Sequence, residues 1–248
     1  MTLATEGLGH RFPDGVWGLE NVTLALGPGE FTVVAGPNGA GKTLLMRHLV
    51  GLVEPTVGRV TLDGTDIRHH LPEVRWRVGL VFQDSGAQIV GLTVAEEVAF
   101  GPRNFGWPRE AVNAAVTSAL AAVGLSGRED EVCAHLSGGE KRRLAIAGVL
   151  ACNPSVLVLD EPFTGLDLPA VQAVLSTLVD LHCQGRTIVV LTHELDKCLA
   201  HAGRLVLMAD GTVKADGPPA ALWDQIPEVR THRPAGGPHR LGEMTWLP

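Results

Sequence analysis

The chain has 248 residues and a mass of 26.2 kDa, which suits one large α/β domain or two small ones. Its 20 Lys and Arg against 27 Asp and Glu give a formal net charge of −7, which argues against a nucleic-acid-binding protein. Hydrophobic residues make up 45% of the chain and charged residues 19%, a balance that excludes a disordered protein.

The first third of the sequence alternates short apolar runs with turns rich in Gly and Pro, which indicates β-strands. Predicted strands cover residues 21–26, 30–35 and 60–64. The second of these runs is almost continuously apolar, as in a strand that is buried on both faces. We therefore expect residues 30–35 to form a central strand of the sheet.

The middle of the chain, from Thr93 to about Leu150, has a helical pattern, because Val112, Val116 and Leu120 recur on one helix face. Further on we predict a strand at 155–159, a helix at 169–183 and a strand at 187–191. This alternation is typical of a mostly parallel sheet with helices on its faces. Residues 227–248 contain four Pro and no periodicity, which predicts an irregular tail.

Cysteine usage and the absence of long apolar runs suggest a cytosolic protein. Cys133, Cys152, Cys183 and Cys198 form no C-x-x-C pair, so we expect reduced and mostly buried thiols. We expect no signal peptide, since the first residues lack a basic region followed by an apolar one. The two uncharged stretches, 111–127 and 144–159, are too short or too interrupted to span a membrane.

A glycine-rich loop lies between the predicted strand 30–35 and an apolar helix. It matches G-x-x-x-x-G-K-[ST] and consists of Gly36, Pro37, Asn38, Gly39, Ala40, Gly41, Lys42 and Thr43. Such a loop curls its backbone N–H groups around phosphate, at the positive end of the following helix. This pattern predicts a nucleotide site in which Lys42 reaches the β- and γ-phosphates and Thr43 binds Mg²⁺.

The predicted strand at 155–159 ends in two carboxylates, Asp160 and Glu161, an arrangement known as Walker B. We expect Asp160 to belong to the Mg²⁺ site. Glu161 is then placed to orient the attacking water or accept its proton. On its own this pattern is a common strand end. Its position downstream of a phosphate-binding loop favours the Walker B interpretation.

A third motif, Leu136-Ser137-Gly138-Gly139-Glu140, precedes that strand and opens a helix. With it the chain resembles the ATP-binding cassette (ABC) ATPases from about Leu3 to Ile226, although the family most often has Gln where Glu140 stands. The resemblance implies that Ser137, Gly138 and Gly139 close over the nucleotide of a second subunit. It therefore implies a head-to-tail dimer of identical chains.

The resemblance also implies the fold and the cofactors. The expected fold is an α/β ABC nucleotide-binding domain over residues 1–226, followed by a tail at 227–248. It would have a RecA-like, mostly parallel sheet, an antiparallel β part, and an inserted helical subdomain at about 84–150. ATP and Mg²⁺ are the expected cofactors, and ATP hydrolysis is the expected activity.

Further site residues follow from the same resemblance. Gln83 matches the family's Q-loop glutamine, which touches the Mg²⁺–water shell, and His193 matches the histidine that contacts the γ-phosphate. Asp167 matches the loop that faces the dimer partner. Phe12 stands where the family often has an adenine-stacking Tyr; its ring can stack, or it is an ordinary core residue.

Residues 81–104 resemble the ATPases of energy-coupling-factor (ECF) transporters, except at Ser85-Gly86-Ala87. The resemblance implies an importer motor at the cytoplasmic face of the membrane, with a transmembrane coupling subunit and a substrate-binding membrane subunit as partners. We favour uptake of cobalt or nickel. Uptake of biotin or another vitamin, a soluble regulatory ATPase and a small-molecule kinase remain open, although a kinase has no need of the Ser137 motif.

The run from Gly86 to Leu92 is apolar and nearly uncharged, which is unusual in a loop of an acidic protein. We expect it to form a groove for a cytoplasmic helix of the transmembrane subunit. In the alternative interpretation, Ile89, Val90 and Leu92 simply fill the core.

Overall fold

A computed structural model describes residues 1–223 and 240–247. The strands are β1 (Leu3–Arg11), β2 (Trp17–Leu26), β3 (Phe31–Ala35), β4 (Val57–Leu62), β5 (Thr65–Asp66), β6 (Val78–Val81), β7 (Val156–Asp160), β8 (Thr187–Thr192), β9 (Arg204–Ala209) and β10 (Thr212–Gly217). The helices are α1 (Lys42–Leu49), α2 (Leu71–Arg77), α3 (Ser85–Gln88), α4 (Val94–Asn104), α5 (Arg109–Ala122), α6 (Gly138–Leu150), α7 (Leu168–Cys183) and α8 (Pro219–Trp223).

Six strands form one sheet in the order β10-β9-β3-β8-β7-β6. All neighbouring pairs are parallel except β9 with β10. The predicted parallel sheet is thus confirmed, and β3 lies inside it as expected. The phosphate-binding loop follows β3 and the carboxylate pair lies at the end of β7, so both leave the same edge of the sheet, separated by β8.

The central strands are apolar throughout because both sheet faces are covered. On β3, Val33 belongs to a core shared with α4–α7, whereas Val34 belongs to a second core shared with α1 and the antiparallel sheet. On β7, Leu157 and Val158 divide in the same way. Burying such side chains stabilises the fold by about 1.5–3 kcal/mol each, so the sheet is a rigid base for the loops at its edge.

The antiparallel β part is a four-stranded sheet in the order β2-β1-β4-β5. Its inner face carries Leu8, Leu19 and Val60, which pack in the core around α1. The antiparallel sheet therefore holds α1, and with it the end of the phosphate-binding loop, from the side opposite α4–α7.

The predicted helical region contains α3, α4, α5 and α6. Helices α4 and α6 each begin with a capping box, formed by Thr93 with Glu96 and by Ser137 with Glu140. Such boxes fix helix starts because they satisfy otherwise unpaired N–H groups. The start of the predicted tail lies outside the described residues, while Met244, near the end of the chain, is fully buried in the core shared with α4–α7.

Three of the four cysteines are buried, Cys183 is exposed, and none of the four forms a disulfide. Among residues 1–223 and 240–247, no helix combines the length and the apolar character needed to cross a bilayer.

Candidate nucleotide-binding and hydrolysis site

The predicted phosphate-binding loop joins the end of β3 to the start of α1. Gly39 and Gly41 have φ angles of +83° and +94°, a conformation that side-chain-bearing residues rarely adopt, and Gly41 is the N-cap of α1 without a side-chain cap. The first N–H groups of α1 therefore remain available to an anion. Lys42 folds back over the loop, where its Nζ donates hydrogen bonds to the carbonyl of Gly36 (2.7 Å) and of Pro37 (3.2 Å).

Lys42 and the two Walker B carboxylates lie in one buried cluster. The Nζ of Lys42 is 4.0 Å from Oε1 of Glu161. Burial lowers the pKa of Lys42, although Glu161 and Asp160 act in the opposite direction. Burial raises the pKa of Asp160, opposed by a hydrogen bond from Thr43. Positive charge brought to this cluster would stabilise the ionised form of the Asp160 carboxylate.

Thr43 and Asp160 form a pair of oxygen ligands suited to Mg²⁺. The Thr43 hydroxyl donates to Oδ2 of Asp160 at 2.8 Å. The second carboxylate oxygen, Oδ1, is buried and has no hydrogen-bond partner among the described residues. A hydroxyl, a carboxylate and an unpaired buried oxygen fit a hard divalent cation that prefers oxygen ligands.

Glu161 has a strained backbone conformation, and its carboxylate is held by several hydrogen bonds. Its φ is +46°, which is unusual for a residue with a side chain. Its Oε2 accepts hydrogen bonds from the Thr192 hydroxyl (3.0 Å) and the His193 N–H (3.4 Å), and its Oε1 lies 2.9 Å from Nδ1 of His193. This network fixes the direction of the carboxylate next to Lys42.

A cavity of about 560 Å³ collects most of the predicted site residues. Its lining comprises Phe12, Gly18, Asn38, Gly39, Ala40, Gly41, Lys42, Thr43, Leu44, Gln83, Glu161, Thr164 and His193. Phe12 is 42% exposed there, so it is not an ordinary core residue. Gly36 and Pro37 join the site through Lys42, and Asp160 joins it through Thr43.

The lining of this cavity, within the described part of the chain, does not include Ser137, Gly138 or Gly139. These residues form the start of α6, where Ser137 and Gly138 are exposed, Gly139 is half-buried, and the Ser137 hydroxyl accepts from the Glu140 N–H. Glu140 also pairs with Arg128, whose guanidinium lowers the pKa of that carboxyl to about 2. The negative charge introduced at this unusual position is therefore compensated within the chain.

Two residues that the motifs do not identify also hold the site in place. Thr192 ends β8 and connects Glu161 to the following loop through its hydroxyl. Arg142, buried on α6, donates to the carbonyl of Phe82 (2.8 Å), directly before Gln83. It thus ties the Ser137 helix to the Gln83 loop. No pattern marks either residue, because each acts on a group distant in sequence.

A second concavity lies where α2, β6, α4 and α6 meet, next to the Gln83 loop. Its volume is about 330 Å³, and its walls include exposed Trp76, Phe82, Val90 and Phe100. Within the run 86–92, Val90 is 62% and Leu92 is 68% exposed, while Ile89 is partly buried against the core. Only one of the three apolar side chains therefore packs as the core interpretation requires.

Comparison with known proteins gives a consistent result. The family model described as ABC transporter matches residues 19–164. The energy-coupling factor transporter ATP-binding protein EcfA of Methanocaldococcus jannaschii is 42% identical, over 91% of this chain and 82% of its own length. The cobalt import ATP-binding protein CbiO of Rhodobacter capsulatus is 45% identical, over 89% of this chain and 80% of its own length.

Solved structures agree with these relatives. The structure of cbiO1 from Clostridium perfringens, described as part of the ABC transporter complex cbiONQ, has a TM-score of 0.83 at 33% identity, over 92% of this chain and 93% of that one. A dimeric structure of the bacterial ABC transporter cassette MJ0796 has a TM-score of 0.78 at 27% identity, over 87% and 98%. The similarity covers both sheets and the helical region.

Proposed function

This chain belongs to the ABC transporter family as an ATPase subunit of the energy-coupling-factor type, and on that premise we propose that it powers the import of a divalent metal ion, cobalt or nickel. The observation that carries the proposed ATPase activity is one cavity that brings Lys42, Thr43, Gln83, Glu161 and His193 together at one edge of the sheet. The cobalt import ATP-binding protein CbiO, at 45% identity, supports the choice of cargo.

In this proposal the chain's own residues position the triphosphate and the attacking water. The backbone N–H groups of the loop and the Lys42 ammonium bind the phosphates, which requires Lys42 to leave its carbonyl partners. Glu161, fixed by Thr192 and His193, orients the water and accepts its proton. The exposed ring of Phe12 offers a surface on which the adenine stacks.

Thr43 and Asp160 would hold Mg²⁺, with Gln83 at its water shell. When bound, Mg²⁺ neutralises charge on the β- and γ-phosphates. The unpaired Oδ1 of Asp160 supports this assignment.

Completion of the site requires a second copy of the chain. Ser137 and Gly138 are exposed at the start of α6, and neither they nor Gly139 line the cavity that contains the phosphate-binding loop. We propose a head-to-tail dimer in which this helix start closes over the nucleotide bound to the partner's loop. The dimeric MJ0796 cassette provides the precedent.

The groove beside Gln83 is the proposed attachment site for a helix of a membrane subunit. Its apolar walls, which include the exposed Val90, suit an amphipathic helix. Because Phe82 lines the groove and Gln83 lines the nucleotide cavity, adjacent residues connect the two sites. This connection is a route by which ATP binding changes the membrane partner, at the cytoplasmic face of the membrane.

The test is purification of the protein together with the membrane proteins of its own cell, followed by uptake measurements with cobalt, nickel and biotin. Accumulation of cobalt or nickel that depends on Glu161 supports the proposal. If only biotin accumulates, the proposed cargo is wrong, but the proposed role as the ATPase of an importer stands. Absence of any membrane partner from the purified complex would instead indicate a soluble regulatory ATPase.

A further inference from the structure

The last described stretch of the chain, residues 240–247, packs back onto the domain; we call it the C-terminal segment. Met244 is fully buried, and its carbonyl accepts a hydrogen bond from the Ala200 N–H at 3.0 Å. Thr245 Oγ1 lies 2.7 Å from Nε2 of His201. The segment is therefore attached to the loop that directly follows the predicted γ-phosphate histidine, His193.

Trp246 joins this segment both to α7 and to the loop after His193. Its indole Nε1 donates to Oδ2 of Asp196 (3.2 Å), and its backbone carbonyl accepts from Nε2 of Gln172 on α7 (2.8 Å). The Nζ of Lys197 lies 4.8 Å from the centre of its ring, within the range of a cation–π interaction. One aromatic side chain thus covers two consecutive residues, Asp196 and Lys197.

Lys197 is a buried cation whose ammonium group is paired with neighbouring residues. Only 6% of the residue is exposed. Its ammonium pairs with Oε1 of Glu194 and donates to the carbonyl of Phe163 at 3.4 Å. A buried ammonium without such partners would be strongly unfavourable, so these contacts stabilise the buried charge. Lys197 therefore joins the loop after His193 to the loop after Glu161.

From Glu194 the contacts continue to the hydrolysis site. Its Oε2 accepts from the Thr164 hydroxyl (3.3 Å), and Thr164 lines the nucleotide cavity. Its backbone N–H donates to the Thr192 hydroxyl (2.9 Å), which itself donates to Oε2 of Glu161 (3.0 Å). An unbroken series of contacts thus runs from Trp246 through Lys197, Glu194 and Thr192 to Glu161.

We propose that Lys197 and Trp246 are positioning residues for ATP hydrolysis, through which the C-terminal segment holds Glu161 and His193 in their working geometry. The inference depends on the proposed role of Glu161. Neither residue lies in the nucleotide cavity, so their loss should lower the rate of hydrolysis while ATP binding is retained. A correctly bound but misdirected water reacts slowly, and small displacements of catalytic groups have large effects on rate.

The experiment compares Trp246→Leu with Trp246→Phe. The Phe variant keeps an aromatic face over Lys197 but loses the hydrogen bond to Asp196, whereas the Leu variant loses both. We expect kcat to fall about threefold in Trp246→Leu, with a smaller fall in Trp246→Phe and no change in the Kd for ATP. The matched control is Trp107→Leu, another partly buried Trp, which lies in the helical region beside the core.

A second pair of variants tests Lys197 directly. Lys197→Met should lower kcat about tenfold, because small displacements of catalytic groups reduce the rate strongly, and Lys197→Arg should retain most of the parent's kcat. In the double variant with Trp246→Leu, kcat should fall no further than in Lys197→Met alone, because both changes break one series of contacts. If Lys197→Met does not fold, the Trp246 variants and Lys197→Arg carry the test.

Three outcomes would overturn the inference. These are an unchanged kcat in Trp246→Leu, an equal loss in Trp107→Leu, or a rise in the Kd for ATP that accounts for the whole effect. Glu161→Gln, measured in parallel, shows whether the positioning role alone is wrong or the proposed hydrolysis site is wrong as well. If Glu161→Gln abolishes hydrolysis and Trp246→Leu does not affect it, only the positioning role is wrong.

Discussion

The hydroxyl of Thr43 donates a 2.8 Å hydrogen bond to the carboxylate of Asp160, a residue 117 positions further along the chain. Thr43 stands at the start of α1, after β3, and Asp160 ends β7, two strands away in the sheet. The parallel arrangement makes this contact possible, since it brings the carboxyl ends of both strands to one edge. The phosphate loop and the Walker B carboxylates therefore form a single site.

The first prediction concerns the chemistry at Glu161. Glu161→Gln keeps the size of the side chain and its capacity for hydrogen bonds but cannot accept the proton from water. ATP turnover should fall by roughly 10²–10⁴-fold while ATP still binds. Steady-state phosphate release and ATP titration measure the two effects. Glu20→Gln, on an exposed strand position, is the control, and near-normal hydrolysis in Glu161→Gln would refute the assignment.

The second prediction concerns the composite site of the dimer. Gly138→Glu places a bulky anion on the helix start, where an added Cβ meets no atom within 4 Å beyond its neighbours in the chain and the backbone of its own helix. The chain should fold normally, yet the variant should not close over the partner's ATP. Lys42→Ala damages the other half of the site. Each variant alone should be nearly inactive.

Mixing the two variants gives a decisive result. In a head-to-tail dimer, half of the randomly mixed pairs contain one intact site, so about a quarter of the wild-type activity should return. Activity of the mixture equal to the sum of the separate variants would contradict the composite site. Sedimentation of the mixture serves as the control that mixed dimers form.

The third prediction tests the groove as a partner site, and the structure indicates the best positions. Val90 and Leu92 are more exposed than Ile89, so Val90→Glu should leave folding and basal ATPase activity unchanged. It should nevertheless abolish co-purification with the membrane subunit and cargo uptake. Ile89→Glu should also lower the melting temperature, because Ile89 packs against the core. If Val90→Glu leaves the complex intact, the groove is not the attachment site.

Much of the fold can be predicted from the sequence because its signals are local. β3, β7 and β8 are continuous apolar runs, and the phosphate-binding loop is one contiguous motif, so period and composition identify them. β9 and β10 form an antiparallel pair at the edge of the sheet, and no motif or periodicity in the sequence indicates them. Their short runs become strands through pairing with β3 and with each other.

The polar contacts that hold the site together could not be predicted in this way. Arg142 reaches the Phe82 carbonyl across 60 positions, and Lys197 reaches the Phe163 carbonyl across 34. Neither partner is a side chain, so no residue type in the sequence points to it. Trp246 is a single aromatic residue in a stretch without periodicity, and only the folded chain shows that it covers Lys197.

The last prediction concerns acid stability and His48, which lies on α1 with no exposed surface. Burial, with a smaller effect of neighbouring His10, lowers the pKa of His48 from 6.5 to about 4. In the unfolded chain the same imidazole takes up its proton near pH 6.5, so between pH 6.5 and 4 the unfolded state binds more protons. The free energy of unfolding should therefore fall as the pH drops through this window, by up to about 3 kcal/mol.

His48→Met has a similar volume and does not titrate, so urea unfolding at pH 7.5, 6 and 5 should show a weaker pH dependence than the parent chain. His69→Met, at an exposed position, should retain the parent's pH dependence, and an identical pH dependence in His48→Met and the parent would show that His48 is not the group responsible.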